Sequence, residues 1–162
     1  RYYRGELRQL VRDITIPNAI CFAPDRSCAF YTDTLTQQIM RVALAPQDGW
    51  PMAAAEICID LSQTDMRPDG AVTDKDGNLW VALFGSASVA CFSPDGSLLR
   101  KVEAPALNMT CPAFGGPKLR DLYATSATIL LSDEDTAKYP QSGMTFHAPD
   151  VAQGLPEPQV IL

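Results

Sequence analysis

The chain has 162 residues, 46% of them hydrophobic and 20% charged, which is a composition typical of a globular protein with a substantial core. The net charge of −6 and the lack of any Lys/Arg cluster argue against nucleic acid and against an anionic membrane surface as partners. No apolar run approaches the roughly 20 residues that a membrane-spanning helix needs. We therefore expect a soluble protein. Because the sequence begins without Met, in a strand-like segment, we also expect it to be a piece of a longer protein.

Five cysteines form an odd set without any CxxC spacing, and most of them lie inside apolar runs. This pattern favours buried free thiols over a disulfide framework or a zinc site. Because free thiols persist in reducing compartments, the sequence predicts a cytoplasmic location. The cysteines are Cys21, Cys28, Cys58, Cys91 and Cys111.

Short strand-like runs alternate with turn signals every 8 to 12 residues, and a helical periodicity is almost absent. In chain order, the first hairpin is predicted at 17–22 and 28–33, and the second at 68–73 and 79–83. The third hairpin is predicted at 111–114 and 121–125. The sequence therefore predicts an all-β protein, with hairpin turns near 24–27, 74–78 and 115–120.

The three hairpins are repeats of one plan. Their first strands open at Asn18, Asp69 and Cys111, which lie 51 and 42 residues apart. Two further strands follow the first hairpin (38–42, 55–59) and the second (89–92, 98–102). A period of about 40 to 50 residues with four strands is typical of propeller blades, although a β-sandwich would also alternate strands and turns. The predicted division is 1–16 as the end of a preceding blade, then blades at 17–62, 67–104 and 108–162.

Blade geometry predicts where a site would lie. The residue that opens the innermost strand and the end of the antiparallel second strand fall on the same rim of the central channel. Polar and apolar residues of this rim are the predicted pocket lining. They are Asp33, Thr34, Phe84, Cys111 and Ser126, beside Asn18 and Asp69.

Seven short motifs follow one another as they do in the gluconolactonase/regucalcin/luciferin-regenerating family. They are Ile16-Pro17-Asn18, Phe30-Tyr31-Thr32-Asp33-Thr34, Arg67-Pro68-Asp69-Gly70, Gly77-Asn78-Leu79-Trp80-Val81-Ala82, Ala113-Phe114-Gly115-Gly116-Pro117, Leu122-Tyr123-Ala124-Thr125-Ser126-Ala127 and Gly154-Leu155-Pro156. The chain resembles the C-terminal half of that family. The resemblance implies about three blades of a six-bladed β-propeller that holds one divalent cation.

The resemblance further implies that Asn18 and Asp69 are ligands of this cation, which would be Ca²⁺, Mg²⁺, Mn²⁺ or Zn²⁺. A third ligand, a Glu, would lie in the half of the family that this sequence does not match. The implied activity is metal-dependent hydrolysis of a small-molecule sugar lactone, with Asp69 as the catalytic proton acceptor. Taken alone, Asn18 and Asp69 would more often be turn-capping residues. A non-catalytic metal- or ligand-binding propeller is the alternative function, and the 162-residue chain by itself is expected to be inactive.

Three local expectations accompany this assignment. Ala19 stands where many family members have Gly, and we expect it in an ordinary extended conformation. The single histidine, His147, is expected far from the rim, which argues against a Ser-His-Asp triad. The long segment 128–142 is expected to emerge at the rim as a lid or pocket wall, with a helical turn capped by Ser132, or else to be a tolerated surface insertion.

Half a propeller would leave two blade faces uncovered. We therefore expect self-association or pairing with the missing N-terminal half.

Overall fold

The structure is a computed structural model that describes residues 1–158. It is built almost entirely of antiparallel strands, and each strand of a blade pairs with its neighbour in sequence. A short hairpin, β1 (Tyr2–Tyr3) and β2 (Glu6–Leu7), precedes the three larger sheets. The first blade contains β3 (Pro17–Phe22), β4 (Cys28–Asp33), β5 (Gln38–Ala43) and β6 (Glu56–Asp60). The second blade contains β7 (Arg67–Thr73), β8 (Leu79–Phe84), β9 (Ser88–Phe92) and β10 (Leu98–Glu103).

The third blade has three strands within the described residues: β11 (Asn108–Gly115), β12 (Asp121–Ala127) and β13 (Thr145–Ala148). One short helix, α1 (Asp133–Lys138), lies between its second and third strands. The first strands of the blades pack next to one another, β3 on β7 and β7 on β11. This arrangement confirms the all-β propeller and excludes the β-sandwich. The predicted hairpin turns are confirmed as well.

Two apolar clusters join the blades. Phe30 and Ile39 of the first blade pack against Val81 and Phe92 of the second. On the other face of the second blade, Trp80 packs with residues of the third, among them Met109 and Leu122. Every residue of β9 and nearly every residue of β8 is therefore buried, because the second blade is covered on both faces. Trp80 and Phe92 therefore belong to the core between the blades.

The turn 74–78 is held together by a buried carboxylate. Asp74, only 3% exposed, accepts hydrogen bonds from the backbone N–H groups of Asp76 and Asn78. It also accepts from Asn78 Nδ2 and from the indole Nε1 of Trp80, at 2.9 and 3.0 Å. Four donors thus satisfy one buried carboxylate, which stabilises the predicted hairpin turn.

The N-terminal hairpin is anchored on the first blade, since the ring of Tyr3 contacts Trp50 edge-on and the guanidinium of Arg1 lies 4.3 Å from the Trp50 ring centroid. Its assignment to a preceding blade stays a prediction. Within residues 1–158, no helix is long and apolar enough to cross a membrane.

The five cysteines are free, but they are less buried than predicted. Cys21 and Cys91 are buried, Cys28 and Cys58 are half-buried, and Cys111 is exposed. The prediction of a buried thiol is wrong for Cys111, which is exposed as a residue although its sulfur lies against Gly70 of the second blade.

Candidate functional site

Each inner strand carries a β-bulge near the rim where the site was predicted. The pairing register shifts between Asn18 and Cys21 in β3, and between Pro68 and Ala71 in β7. A third shift lies between Met109 and Cys111 in β11. A bulge bends its strand and re-aims a side chain, so the three strands share one irregularity at the same end.

The bulge in β3 contradicts the expectation for Ala19. Its φ is 52°, in the left-handed region, and its side chain is almost fully buried at 1% exposure. The expected extended conformation is therefore wrong. A glycine at this position would adopt the same backbone without the steric cost that any Cβ brings, which explains the preference of the family for Gly.

A hydrogen-bonded chain links Asn18 to the residue before Asp69. Asn18 Nδ2 donates to Thr34 Oγ1 at 2.9 Å. The Thr34 hydroxyl in turn donates to the carbonyl oxygen of Pro68, the residue before Asp69, at 2.8 Å. With its amide nitrogen engaged in this way, Asn18 keeps its carbonyl oxygen Oδ1 as the group available for a cation. Thr34 thus positions Asn18 relative to β7, a role that is more specific than the predicted pocket lining.

Asp69 lies half-buried at the bulge of β7. Desolvation raises the pKa of its carboxyl above the usual value, while the neighbouring Gly70 N–H opposes part of this rise. Among the salt bridges of residues 1–158, none involves Asp69. A desolvated carboxylate without a cationic partner is electrostatically suited to bind a metal ion.

Gly70 allows β7 and β11 to approach each other closely. A Cβ at this glycine would lie 2.7 Å from the carbonyl oxygen of Thr110 and 3.0 Å from Cys111 Cα. Cys111 is therefore next to the Asp69 segment, as the repeat predicted. Burial of its sulfur raises the pKa of the Cys111 thiol, and the negative charge of Asp69 adds to the rise. The thiol is thus protonated at neutral pH, which does not favour a nucleophilic role.

The remaining predicted lining residues lie at the same rim, yet two of them are engaged in holding loops. The Asp33 carboxylate accepts from the backbone N–H groups of Thr15, Ile16 and Leu35. Ser126 Oγ accepts from Gly143 N at 2.9 Å and donates to Met144 O at 2.8 Å. Phe84 is half-buried and lies opposite Arg67 on the adjacent strand β7.

The donors at this rim fit part of a divalent-cation site. An amide oxygen and a carboxylate are hard ligands of the kind that Ca²⁺, Mg²⁺ and Mn²⁺ prefer. Residues 1–158 contain no group of three or more His, Cys, Asp or Glu side chains placed to hold a metal. Asn18 and Asp69 thus offer one amide oxygen and one carboxylate at this rim.

Within residues 1–158, no further four-stranded sheet packs beside the first or the third blade. A cleft of about 440 Å³ occurs elsewhere, between the second and third blades, and is lined by Asp74, Trp80 and Arg100. Neither Asn18 nor Asp69 lines that cleft. It lies at the opposite end of the strands, so it is separate from the rim site.

Asn108 is a residue of the rim that the sequence patterns did not predict. Asn108 is 2% exposed, and its Nδ2 donates to the carbonyl oxygen of Ile129 at 2.7 Å. It opens β11, one repeat after the strand openings at Asn18 and Asp69. A polar residue at the start of the third inner strand could have indicated this position. Its partner Ile129, however, lies in the connection between β12 and β13, which the repeat does not predict.

Comparison with known proteins defines the family. The family described as SMP-30/Gluconolactonase/LRE-like region matches residues 2–128. The chain belongs to this family, as the sequence motifs indicated.

Among its relatives, the 6-deoxy-6-sulfogluconolactonase of Pseudomonas putida is 36% identical over 146 residues, which are 90% of this chain and 50% of that protein. The L-arabinolactonase of Azospirillum brasilense is 35% identical over 133 residues, which are 82% of this chain and 43% of that protein. Both relatives are sugar lactonases by name.

The fold matches that of a solved structure, a calcium-binding protein called regucalcin from Agrobacterium tumefaciens. The TM-score is 0.94 at 37% identity, covering 98% of this chain and 54% of the other. The chain spans about half the length of the relatives it matches. The three blades of this chain correspond to about half of the six-bladed propeller of those proteins.

Proposed function

We propose that the polypeptide containing this chain hydrolyses sugar lactones with the help of one divalent cation, and that Asn18 and Asp69 are two of its ligands. The observation that carries the proposal is the Asn18–Thr34–Pro68 hydrogen-bonded chain, which holds the Asn18 amide against the β7 backbone at the residue before Asp69, whose carboxylate is desolvated. The lactonase names of the relatives support the reaction class.

Each residue has a defined chemical task in this proposal. Asn18 Oδ1 and a carboxylate oxygen of Asp69 would hold Ca²⁺, Mg²⁺, Mn²⁺ or Zn²⁺. A cation so held supplies polarisation of the lactone carbonyl and a lowered pKa of bound water. Asp69 accepts the proton of the attacking water.

Isothermal titration calorimetry of the natural polypeptide with Ca²⁺ and Mn²⁺ tests the ligand assignment. Asp69→Ala should abolish specific binding of either ion, because it removes the anionic ligand. Asp76→Ala is the matched control, since it removes one exposed carboxylate from the turn at the opposite end of the blade. Unchanged affinity in Asp69→Ala would overturn the assignment.

A second candidate is a non-catalytic calcium-binding propeller. It is favoured by the solved relative that is called a calcium-binding protein. Release of acid from D-glucono-1,5-lactone, followed by pH-stat titration, separates the two candidates. Cation binding without any acceleration of hydrolysis would favour the second candidate.

The proposal extends to partners and location. The outer faces of the first and third blades are uncovered, and we infer that the remaining blades of the polypeptide, or a second copy of this chain, pack against them. The 162-residue chain alone is expected to be inactive, because it offers two ligands and one side of the pocket. Five free thiols favour a reducing compartment such as the cytoplasm, which subcellular fractionation would check.

A further inference from the structure

The connection between β12 and β13 folds over the start of the innermost strand. It leaves the blade at Ala127, which pairs with Asn108, the first residue of β11. The buried Asn108 side chain then holds the carbonyl oxygen of Ile129 at 2.7 Å. This bond places the turn beside the innermost strand β11 instead of beside β12. The turn therefore lies toward the central channel and not toward the outer edge of the blade.

The turn lies farther toward the rim than Asp69, measured along the strand direction. Gly70 abuts Cys111, so these two residues mark the same height on the adjacent strands β7 and β11. Asn108 is three residues closer to the rim than Cys111, and Asp69 is one residue closer than Gly70. The bulges shorten both distances, since residues 108–111 span two steps of β12 and residues 68–71 span two steps of β8. At about 3.3 Å per step, Asn108 and the turn that it holds lie roughly 4 Å beyond Asp69 along the strand direction.

The connection is held in place at both ends. Ser126 Oγ accepts from Gly143 N and donates to Met144 O, which closes the far end of the loop onto β12. Helix α1 begins with a capping box in which Ser132 and Asp135 bond to each other's backbone N–H. The turn at Ile129 and Leu130 is therefore a fixed wall and not a freely moving lid.

Two large apolar side chains are exposed on this wall. Ile129 is 63% exposed and Leu130 is 83% exposed. Leu130 has a φ of 62°, which is in the left-handed region that disfavours a branched side chain. This exposed apolar surface has no role in the core of the third blade.

We propose that the Ile129–Leu130 turn forms the apolar wall of the substrate pocket, and that Leu130 selects for lactones with a hydrocarbon end. This inference rests on the proposed lactonase function. A lactone whose carbonyl lies near Asp69 extends its remote substituent along the strand direction toward Leu130. Contact with the leucine favours a methyl group there over a hydroxymethyl group, because the hydroxyl would lose its hydration without gaining a partner.

The test compares two substrates that differ by one hydroxyl, 6-deoxy-D-glucono-1,5-lactone and D-glucono-1,5-lactone. In the natural polypeptide, Leu130→Ser should lower the kcat/KM ratio of the deoxy to the hydroxylated lactone by about fivefold to tenfold. Leu130→Met should preserve the ratio, since it keeps an apolar side chain of similar size. Leu99→Ser is the matched control, because Leu99 is a 54% exposed leucine near the opposite end of the outer strand β10.

The outcomes are distinguishable. If both lactones are hydrolysed and Leu130→Ser leaves their ratio unchanged, the inference is wrong while the proposed function stands. If neither lactone is hydrolysed, the proposed function fails and the inference fails with it.

Discussion

Two aspartates at the rim face opposite electrostatic conditions. Burial raises the pKa of Asp69, so the folded chain binds the carboxyl proton more tightly than the unfolded chain does. The folded state therefore loses stability as pH rises from about 4 through the folded pKa of Asp69. Backbone N–H donors, with Thr15 first, lower the pKa of Asp33. Asp33 therefore contributes stability above pH 4, and this contribution is lost as pH falls through its folded pKa.

From this contrast we expect Asp69→Asn to unfold at a higher temperature than the parent at pH 7 in the absence of divalent cations. The difference should shrink toward zero at pH 3, where the Asp69 carboxyl is protonated in both states. Asp33→Asn should behave in the opposite way, unfolding at a lower temperature at pH 7. Thermal unfolding followed by circular dichroism at several pH values checks both, and a stabilised Asp33→Asn would contradict the argument.

Ala19 carries backbone strain in a buried position. Ala19→Gly removes the left-handed penalty of about 1 kcal/mol but also removes a buried methyl group worth about 0.8 kcal/mol. We therefore expect Ala19→Gly to change the free energy of unfolding by less than about 0.5 kcal/mol. Ala19→Val should destabilise by about 2 kcal/mol, because a β-branched residue resists this backbone conformation. Urea denaturation checks the pair, and equal stability of Val and Ala would show that the bulge relaxes.

At the scale of the element, the hairpin β7–β8 depends on one buried acceptor. Asp74 satisfies four donors, including the indole N–H of Trp80 in the inter-blade core. Asp74→Ala should lower the free energy of unfolding by about 3 kcal/mol, because it leaves those donors without an acceptor. Asp76→Ala, one exposed position in the same turn, should change it by less than about 0.5 kcal/mol. Chemical denaturation monitored by Trp80 fluorescence would show the difference, and equal effects would refute it.

The segment 128–144 shows how local chemistry and tertiary position combine within one element. Ser132 caps α1 as the sequence predicted, with its hydroxyl accepting from Asp135 N at 3.0 Å. The cap is a local signal, since it needs residues only three apart. The anchoring by Asn108 and Ser126 brings together residues 18 to 21 positions apart and decides where the loop lies.

At the scale of the whole molecule, the uncovered face of the first blade is apolar. Ile20, Phe22 and Ile57 are each more than half exposed on the side opposite the core. The isolated 162-residue chain is therefore expected to self-associate at micromolar concentration, as sedimentation velocity would show. Phe22→Lys should weaken this association, whereas Leu99→Lys should not. A compact monomer that unfolds cooperatively would contradict the expectation.

The sequence by itself determined the strands, the turns and the repeat. These follow from short-range signals, namely alternating apolar residues, Pro-Asp and Asp-Gly turns and the capping serine, and each acts within a few residues. The repeat then placed Asn18, Asp69 and Cys111 at one rim, because equivalent positions of successive blades fall at the same end of the channel.

Only the tertiary structure decided how those residues are used. The left-handed backbone of Ala19, the close approach at Gly70, the Thr34 bridge and the Asn108–Ile129 bond all depend on strands from different parts of the chain. These features arise from the packing of one blade on the next, where distance in space is unrelated to distance in sequence, and periodicity along a single strand therefore carries no signal for them.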